Sequence, residues 1–330
     1  MAYRFEFRSI ARKFVRSLVT SHGNWDIRES IIIRLIDEAG RFSWGEIAPI
    51  SWFGSETLEQ ALDFCRQLPP EITDKTIFSI PDNLPACQFG FESALEGLRT
   101  GGQGERTMNN SCSLSCSSNP QSLSYSGLLP TGEAALNQWQ TLWQQGYRTF
   151  KWKIGVDAIA KELEIFNLLI HSLPASTKLR LDANGGLSYE EANLWLETCD
   201  NLSANIEFIE QPLPVGQLEV MLQLTKRYTT AIALDESVAT LQQLTAAYEQ
   251  GWREIFVIKP GIAGSPSRLR QFCQQHQIDA VFSSVFETAI ARQAALQLAA
   301  ELSRHNRAVG FGISHFFEED ICPQSLWKNP

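Results

Sequence analysis

Between residues 122 and 312, short apolar runs alternate with longer amphipathic ones about every 25 residues, and this rhythm constrains the fold more than any other feature of the chain. The strand candidates are SLSYSGLL (122–129), RTFKWKI (148–154), KLRLDA (178–183), NIEFIE (205–210), AIALD (231–235), EIFVIK (254–259), DAVFSS (279–284) and RAVGFG (307–312). Between them lie helix candidates such as EAALNQWQTLWQQ, AKELEIFNLLIHSL, YEEANLWLETCD and ARQAALQLAAELSRH. Strands that alternate with helices build a parallel sheet, either closed as a barrel or open and doubly wound, rather than a sandwich.

The polar residues at the strand ends favour the barrel. Lys153, Asp182, Glu210, Asp235, Lys259 and Glu287 stand at or just beyond the C-terminal ends of successive candidates. In a barrel those ends converge on one mouth, whereas an open sheet would spread them along an edge. Asp182, Glu210 and Asp235 are 28 and 25 residues apart, one strand-helix unit each. Three carboxylates gathered in a small volume repel one another unless a cation lies among them. With oxygen ligands and no His or Cys in the set, that cation is expected to be Mg2+, with Mn2+ as a substitute.

Lys151 and Lys153 are two apart on one strand and share a face, while Phe150, Trp152 and Ile154 take the other. If the lysines face the interior, each ammonium makes the other harder to charge, which would supply a neutral amine as a base. Arg180 bears the same relation to Asp182. It is expected inside as well, either binding a substrate carboxylate or holding Asp182 in place.

At 330 residues the chain exceeds a barrel of roughly 250 residues and has room for a smaller domain. In the first hundred residues Tyr3, Phe5 and Phe7 alternate with charged residues, the period of a half-buried strand rather than of a transit peptide. ESIIIRLID and RFSWGEIAP follow as a hairpin about Glu38-Ala39-Gly40, and then two helical stretches, the second starting at Pro85. The expected division is an α+β domain over 1–105, a Gly/Ser/Asn-rich linker over 106–122, the barrel over 123–312 and a tail over 313–330 packing back on the first domain. Cys112 and Cys116 have no second Cys or His pair nearby, so no zinc site is expected. A net charge of −9 argues against nucleic-acid and acidic-membrane partners. No apolar run approaches the roughly 18 residues of a membrane span, and a cytoplasmic enzyme is expected. Oligomeric state is left open.

KWK (151–153), LRLDANGG (179–186), FIEQPL (208–213), LDES (234–237) and VIKPG (257–261) together resemble the barrel-strand motifs of the enolase superfamily, in its muconate-lactonizing subgroup. LPACQFGFESALEGL is similar to a helix of that subgroup's capping domain. The resemblance implies a (β/α)7β modified TIM barrel under an N-terminal α+β cap. It makes Asp182, Glu210 and Asp235 the magnesium ligands, Lys153 the acid/base on the second strand and Lys259 the lysine on the sixth, with Lys151 beside them.

SWGEIAPISWFGSETL and SSVFET extend the likeness to a branch that dehydrates a hydroxylated cyclohexadiene dicarboxylate to an aromatic product in menaquinone or phylloquinone biosynthesis. The expected partner is therefore a small-molecule dicarboxylate. Ser283 and Ser284 are candidates to bind its second carboxylate, with Glu287 either at the site or a first-turn helix charge. The loop His22-Gly23-Asn24-Trp25 and the segment Ser51-Trp52-Phe53-Gly54 are expected to close over the mouth, with Trp25 and Trp52 against the substrate or in the domain interface. The competing expectations are an N-acylamino acid racemase or dipeptide epimerase, which would use both lysines as bases, and a catalytically silent barrel. Against the epimerase, VGFGISHFF carries no D-x-D pair to receive a substrate ammonium.

Overall fold

A computed structural model describes residues 1–20, 23–101, 123–202, 205–318 and 321–327. His22, Cys112, Cys116 and the expected linker 106–122 lie outside them.

The first domain starts with a long antiparallel pair, β1 (Ala2–Thr20) and β2 (Gly23–Ile36), with β3 (Phe42–Ile47) beside β2. The alternation of Tyr3 and Phe5 does make a strand, with both rings buried, and it runs on to Thr20. The expected loop at Gly23–Trp25 is instead part of β2, where Trp25 pairs with Leu18. Between β2 and β3 the turn forms as expected, because Asp37 Oδ1 accepts from the amides of Ala39 and Arg41 at 3.0 and 2.8 Å.

α1 (Leu58–Gln67), β4 (Glu71–Thr73), α2 (Asp74–Phe78) and α3 (Pro85–Thr100) complete the cap, and β4 joins β1 to give the order β3-β2-β1-β4. α3 begins at Pro85 and lacks a local side-chain cap. Glu56, brought from outside the helix, accepts from the amides of Ala86 and Cys87 at 3.0 and 2.8 Å and fills that role.

α3 lies directly on β3 because two glycines meet there. A Cβ at Gly45 would stand 2.1 Å from the carbonyl oxygen of Gly90, and one at Gly90 would stand 2.7 Å from Ile47 Cγ1. We therefore expect Gly45→Ala to push α3 off the sheet at a cost of about 2–3 kcal/mol, the scale of overpacking a close-packed contact. Urea denaturation measures this; an unchanged midpoint would mean that the contact is loose.

The second domain alternates strand and helix: β5 (Ser126–Leu128), α4 (Ala135–Gln144), β6 (Thr149–Lys153), α5 (Ile159–Ser172), β7 (Lys178–Asp182), α6 (Tyr189–Asp200), β8 (Ile206–Glu210), α7 (Leu218–Arg227), β9 (Ile232–Leu234) and α8 (Leu241–Glu249). It continues with β10 (Ile255–Ile258), the short α9 (Pro260–Ala263), α10 (Pro266–His276), β11 (Asp279–Phe282) and α11 (Ala289–Leu302). The seven strands form one parallel sheet in sequence order.

The eighth candidate, 307–312, is not a full strand. It is reduced to two bridges, Tyr125↔Val309 and Ser283↔Gly310, but these tie the last strand to the first. Val309 exchanges backbone hydrogen bonds with Ser124 and Ser126, and Gly310 with Phe282 and Ser284, all between 2.8 and 3.1 Å. That closes the barrel.

Strand parity sorts the side chains. Phe150, Trp152, Leu179, Leu181, Ile209, Leu234, Phe256 and Ile258 pack outward in the large core under the helices. Phe208, Ala233, Ile255, Val257 and Val281 form a separate cluster inside. Two positions beyond Phe208, Ala233, Val257 and Val281 stand Glu210, Asp235, Lys259 and Ser283, so the same parity carries these to the interior at the C-terminal end.

The C-terminal residues touch the cap. Phe317 bridges Phe14, and Trp327 lies 4.7 Å from Trp44 between ring centroids. Among the described residues, no helix is long and apolar enough to cross a membrane.

Candidate active site

Lys151 Nζ stands 2.8 Å from Asp182 Oδ2 and 2.8 Å from Glu210 Oε1, bridging the ends of β7 and β8. Lys259, just past β10, pairs closely with Asp235 and lies 4.0 Å above the ring of Phe53 from the cap. Lys153 faces the same interior, half-buried, with no carboxylate partner among the described residues. With seven strands and one closing segment around the ring, β6 and β10 are four positions apart, halfway round. Lys153 and Lys259 thus approach from opposite walls, and the three strands between them carry Asp182, Glu210 and Asp235.

Asp182, Glu210 and Asp235 are all buried. Burial and its carboxylate neighbours hold the pKa of Glu210 above the ordinary range, and burial with Glu236 does the same for Asp235, against the pull of Lys151 and Lys259. Glu236 is raised too, by burial and Asp182, and its Oε2 is buried with no partner among the described residues. This mouth has more negative charge than its two paired lysines neutralise.

For Lys151 the structure corrects the expected depressed basicity. Burial lowers its pKa, but Asp182, Glu210 and Asp235 outweigh that and hold it above the ordinary lysine value. The repulsion expected between neighbouring lysines is overridden by three carboxylates, so Lys151 is a fixed cation.

Two backbone positions support the carboxylates, and neither was apparent as a site residue in the sequence. Asn184 (φ 45) and Gln211 (φ 38), each within two residues of a strand-end acid, are left-handed, a conformation that costs a non-glycine residue about 1 kcal/mol or more. Side-chain bonds hold both. Asp182 Oδ1 accepts from the Asn184 amide at 3.0 Å, and Asn184 Nδ2 donates to Glu236 at 3.2 Å. Gln211, fully buried, accepts from the amides of Asp235 and Ser237 and donates to Ser237 Oγ and the Leu213 carbonyl. Gln211 thereby couples the end of β8 to the end of β9.

Arg180 does not hold Asp182 in place; its ion pair is with Glu207, and its Nη2 is buried with no partner among the described residues. Arg180 is inside the barrel, where its Nε donates to Glu207 Oε2 at 2.6 Å and its guanidinium lies 4.9 Å over Phe208. The pairing of β7 with β8 slips by one residue at Glu207, which turns this glutamate inward. Arg307 also bonds Glu207, at 2.8 Å, and reaches Asp279 at 2.6 and 2.7 Å. Burial raises the Glu207 pKa, but Arg180 and Arg307 outweigh that and set it below the usual value. Glu207 therefore contributes stability that is present above the unfolded carboxylate pKa and is lost as pH falls through the folded value. Glu207→Gln should cost about 3 kcal/mol by leaving Arg180 buried without its counter-ion, with kcat little changed while the fold holds. Chemical denaturation at pH 7, alongside an activity assay, tests both parts.

Ser283 and Ser284 separate. Ser284 is buried, its Oγ donating to Glu287 Oε2 at 2.7 Å and accepting from the Phe286 amide at 2.9 Å. It is taken up in the loop and has no proton to offer a substrate. Ser283 faces the interior, half-buried, and its hydroxyl has no partner among the described residues. Glu287 is no first-turn helix charge: it precedes the N-cap Thr288 and is 1% exposed. Trp25 and Trp52 meet edge to face at 4.9 Å, and Trp25 also contacts Phe286 of the barrel at 5.6 Å. The two tryptophans thus lie where cap and barrel meet.

The family model for the enolase C-terminal domain-like proteins matches residues 134–326, and that for the MenC N-terminal domain matches 14–98. The o-succinylbenzoate synthase of Thermosynechococcus vestitus is 38% identical over 318 residues, spanning 95% of this chain and 93% of that protein. The crystal structure of o-succinylbenzoate synthase from Thermosynechococcus elongatus BP-1, complexed with Mg in the active site, aligns over 96% of this chain and 95% of its own with a TM-score of 0.86 and 37% identity. The L-Ala-D/L-Glu epimerase of Bacillus subtilis is 23% identical over 90% of this chain and 84% of that protein. Its substrate-liganded structure aligns over 96% of this chain and 91% of its own, with a TM-score of 0.77 at 21% identity, a likeness of fold.

Proposed function

The chain belongs to the enolase C-terminal domain-like family and, within it, to the o-succinylbenzoate synthases; on that premise we propose that it dehydrates 2-succinyl-6-hydroxy-2,4-cyclohexadiene-1-carboxylate to 2-succinylbenzoate, for menaquinone or phylloquinone synthesis. The observation that carries this reading is the placement of Lys153 and Lys259 on opposite walls with three buried carboxylates between them.

The donor set fits a divalent metal ion. Asp182, Glu210 and Asp235 offer hard oxygen atoms, Glu210 and Asp235 are held abnormally basic by burial and by neighbouring acids, and the adjacent Glu236 keeps an oxygen with no partner among the described residues. Among the described residues no group of three such side chains closes on one point at ligand distance; Lys151 stands between Asp182 and Glu210 instead. Magnesium, when bound by these three carboxylates, supplies positive charge beside the substrate carboxylate and offsets the enediolate charge as it develops.

Lys153, as the amine, takes the proton from the carbon alpha to the ring carboxylate. The resulting Lys153 ammonium returns that proton to the ring hydroxyl on the same face as water leaves, so one water is lost and the ring becomes aromatic. Lys259 on the far wall remains an ammonium and stabilises the enediolate without exchanging a proton. Lys151 keeps Asp182 and Glu210 apart and oriented. Phe53, above Lys259, closes that wall to water, and Trp52 beside Trp25 lies in the lid. Ser283 receives the succinyl carboxylate.

The test is 2-succinylbenzoate formation from the cyclohexadiene substrate by the magnesium-loaded protein, run beside a panel of N-acylamino acids and dipeptides. Turnover of the first supports the synthase. Racemisation of the panel with no 2-succinylbenzoate would replace it with the racemase reading.

A further inference from the structure

The barrel segment Ser283–Thr288 links β11 to α11 at the mouth, and much of what holds its shape comes from the cap. Phe286 lies at φ 60, a left-handed position that persists in a bulky residue only where the surroundings over-determine it. Arg28 of β2, 3% exposed, donates from Nε to the Val285 carbonyl at 3.0 Å. Its other nitrogens are bound within the cap, to the carbonyls of Ala48, Pro49 and Glu29 at 2.5, 2.9 and 2.8 Å. Arg12 of β1 donates to the Phe286 carbonyl at 2.5 Å. Glu46 of β3, 1% exposed, accepts from the Thr288 amide at 2.8 Å and its hydroxyl at 2.5 Å, and from Ser30 Oγ at 2.7 Å. Within the barrel, Glu287 accepts from the Val285 amide and Ser284 Oγ at 2.6 and 2.7 Å.

Burying charges costs several kcal/mol each unless they are fully bonded, and apolar side chains of similar size would join two domains at lower cost. Arg28 and Glu46 do something that apolar packing could not: each grips a named backbone group of the barrel loop. Burial pulls the Arg28 pKa down to about 10, with Glu46 and Glu287 pulling it back, so the guanidinium stays charged at neutral pH.

Most donors of the loop are already committed. The amides of Ser283 and Ser284 bond the Ile258 and Gly310 carbonyls, those of Val285 and Phe286 bond side chains of the loop itself, and the amide and hydroxyl of Thr288 bond Glu46. Ser284 Oγ is given to Glu287, while the Ser283 hydroxyl has no partner among the described residues and faces the interior. Arg28 lies 5.4 Å from the Trp25 ring, which touches Phe286 and Trp52, so the lid and the loop share one guanidinium.

Resting on the reading of this site as one for a succinyl-bearing dicarboxylate, we propose that Arg28 and Glu46 are positioning residues that shape Ser283–Thr288 into the receiver of the substrate's second carboxylate. Neither touches the substrate; both act through the loop, so recognition of the succinyl end depends on the docked cap.

Calorimetry on the full magnesium-loaded chain tests this with two probes, 2-succinylbenzoate and 2-butyrylbenzoate, the second lacking the succinyl carboxylate. Arg28→Lys keeps the charge and loses the fork; Glu46→Gln keeps the size and loses one acceptor's charge, and serves if the first variant fails to fold. Each should weaken 2-succinylbenzoate about tenfold and 2-butyrylbenzoate less than about twofold, and raise KM about tenfold with kcat within about threefold. Ser283→Ala should reproduce the selective loss and add little to Arg28→Lys. Equal weakening of both probes, or of neither, overturns the proposal, because a structural role alone would not discriminate. A wild type that binds no 2-succinylbenzoate overturns the functional reading first, and this proposal with it.

Discussion

Lys153→Ala is expected to lower kcat for 2-succinylbenzoate formation about 10⁴-fold, the upper end of what one general acid-base group supplies. The upper end applies because the same amine removes the alpha proton and then returns it to the departing hydroxyl. KM should change little, since Lys153 is not needed to hold the ground state. The side chain is half-buried and has no carboxylate partner among the described residues, so its loss orphans no buried charge. Stability and the magnesium response of the variant should match the wild type, which separates lost chemistry from lost fold. A variant that kept a tenth of the wild-type kcat would remove Lys153 from the mechanism and move the base to the opposite wall, at Lys259.

Removing the metal should abolish turnover, and Glu210→Gln should do the same without a chelator. Glu210 and Asp235 are held above the usual carboxylate range by burial and neighbouring acids, so the folded protein binds protons there that the unfolded chain has already released. In chelated protein, stability should therefore fall as pH rises above the ordinary carboxylate range. Lys151, held above the ordinary lysine value, stays charged over that interval and adds a constant. Magnesium at a hundred times its Kd adds about 2.7 kcal/mol to the folded state and should flatten the pH slope. Thermal melts at several pH values, with and without chelator, measure this, and Glu210→Gln should lose most of the magnesium increment. Melts that magnesium leaves unchanged in the wild type would refute the three-carboxylate site.

Much of the barrel was legible because its code is local. Parity two apart on a strand places Lys151 with Lys153 and Phe208 with Glu210, and the 25-residue repeat aligns the strand ends. What escaped depends on residues that meet only in three dimensions. Arg180 belongs to Glu207 because a one-residue slip between β7 and β8 turns that glutamate inward, and periodicity carries no sign of a slip. Lys151 is a firm cation because carboxylates from neighbouring strands outweigh the adjacent lysine. The Ser284 hydroxyl is spent on Glu287 through a loop that turns at a left-handed phenylalanine, a conformation that residue type alone would not suggest. Asn184 and Gln211 are of the same kind: polar residues in plain view in ANGG and EQP whose bracing roles exist only once the ends of β7, β8 and β9 lie side by side.

The two bridges that close the barrel also set an order on its assembly. Neighbouring strands from β5 to β11 pair over short stretches of chain, so the wall can be laid down progressively from its first strand. The final join is different, for Ser126 and Val309 are 183 positions apart. Until Val309 and Gly310 are in place the wall is an open crescent, and the lysines on its two arms do not yet face one another. On the ribosome, the catalytic centre therefore cannot come into being gradually as its residues emerge one by one. It arises in a single late event, when Val309 and Gly310 join the wall, and proton abstraction waits for that join.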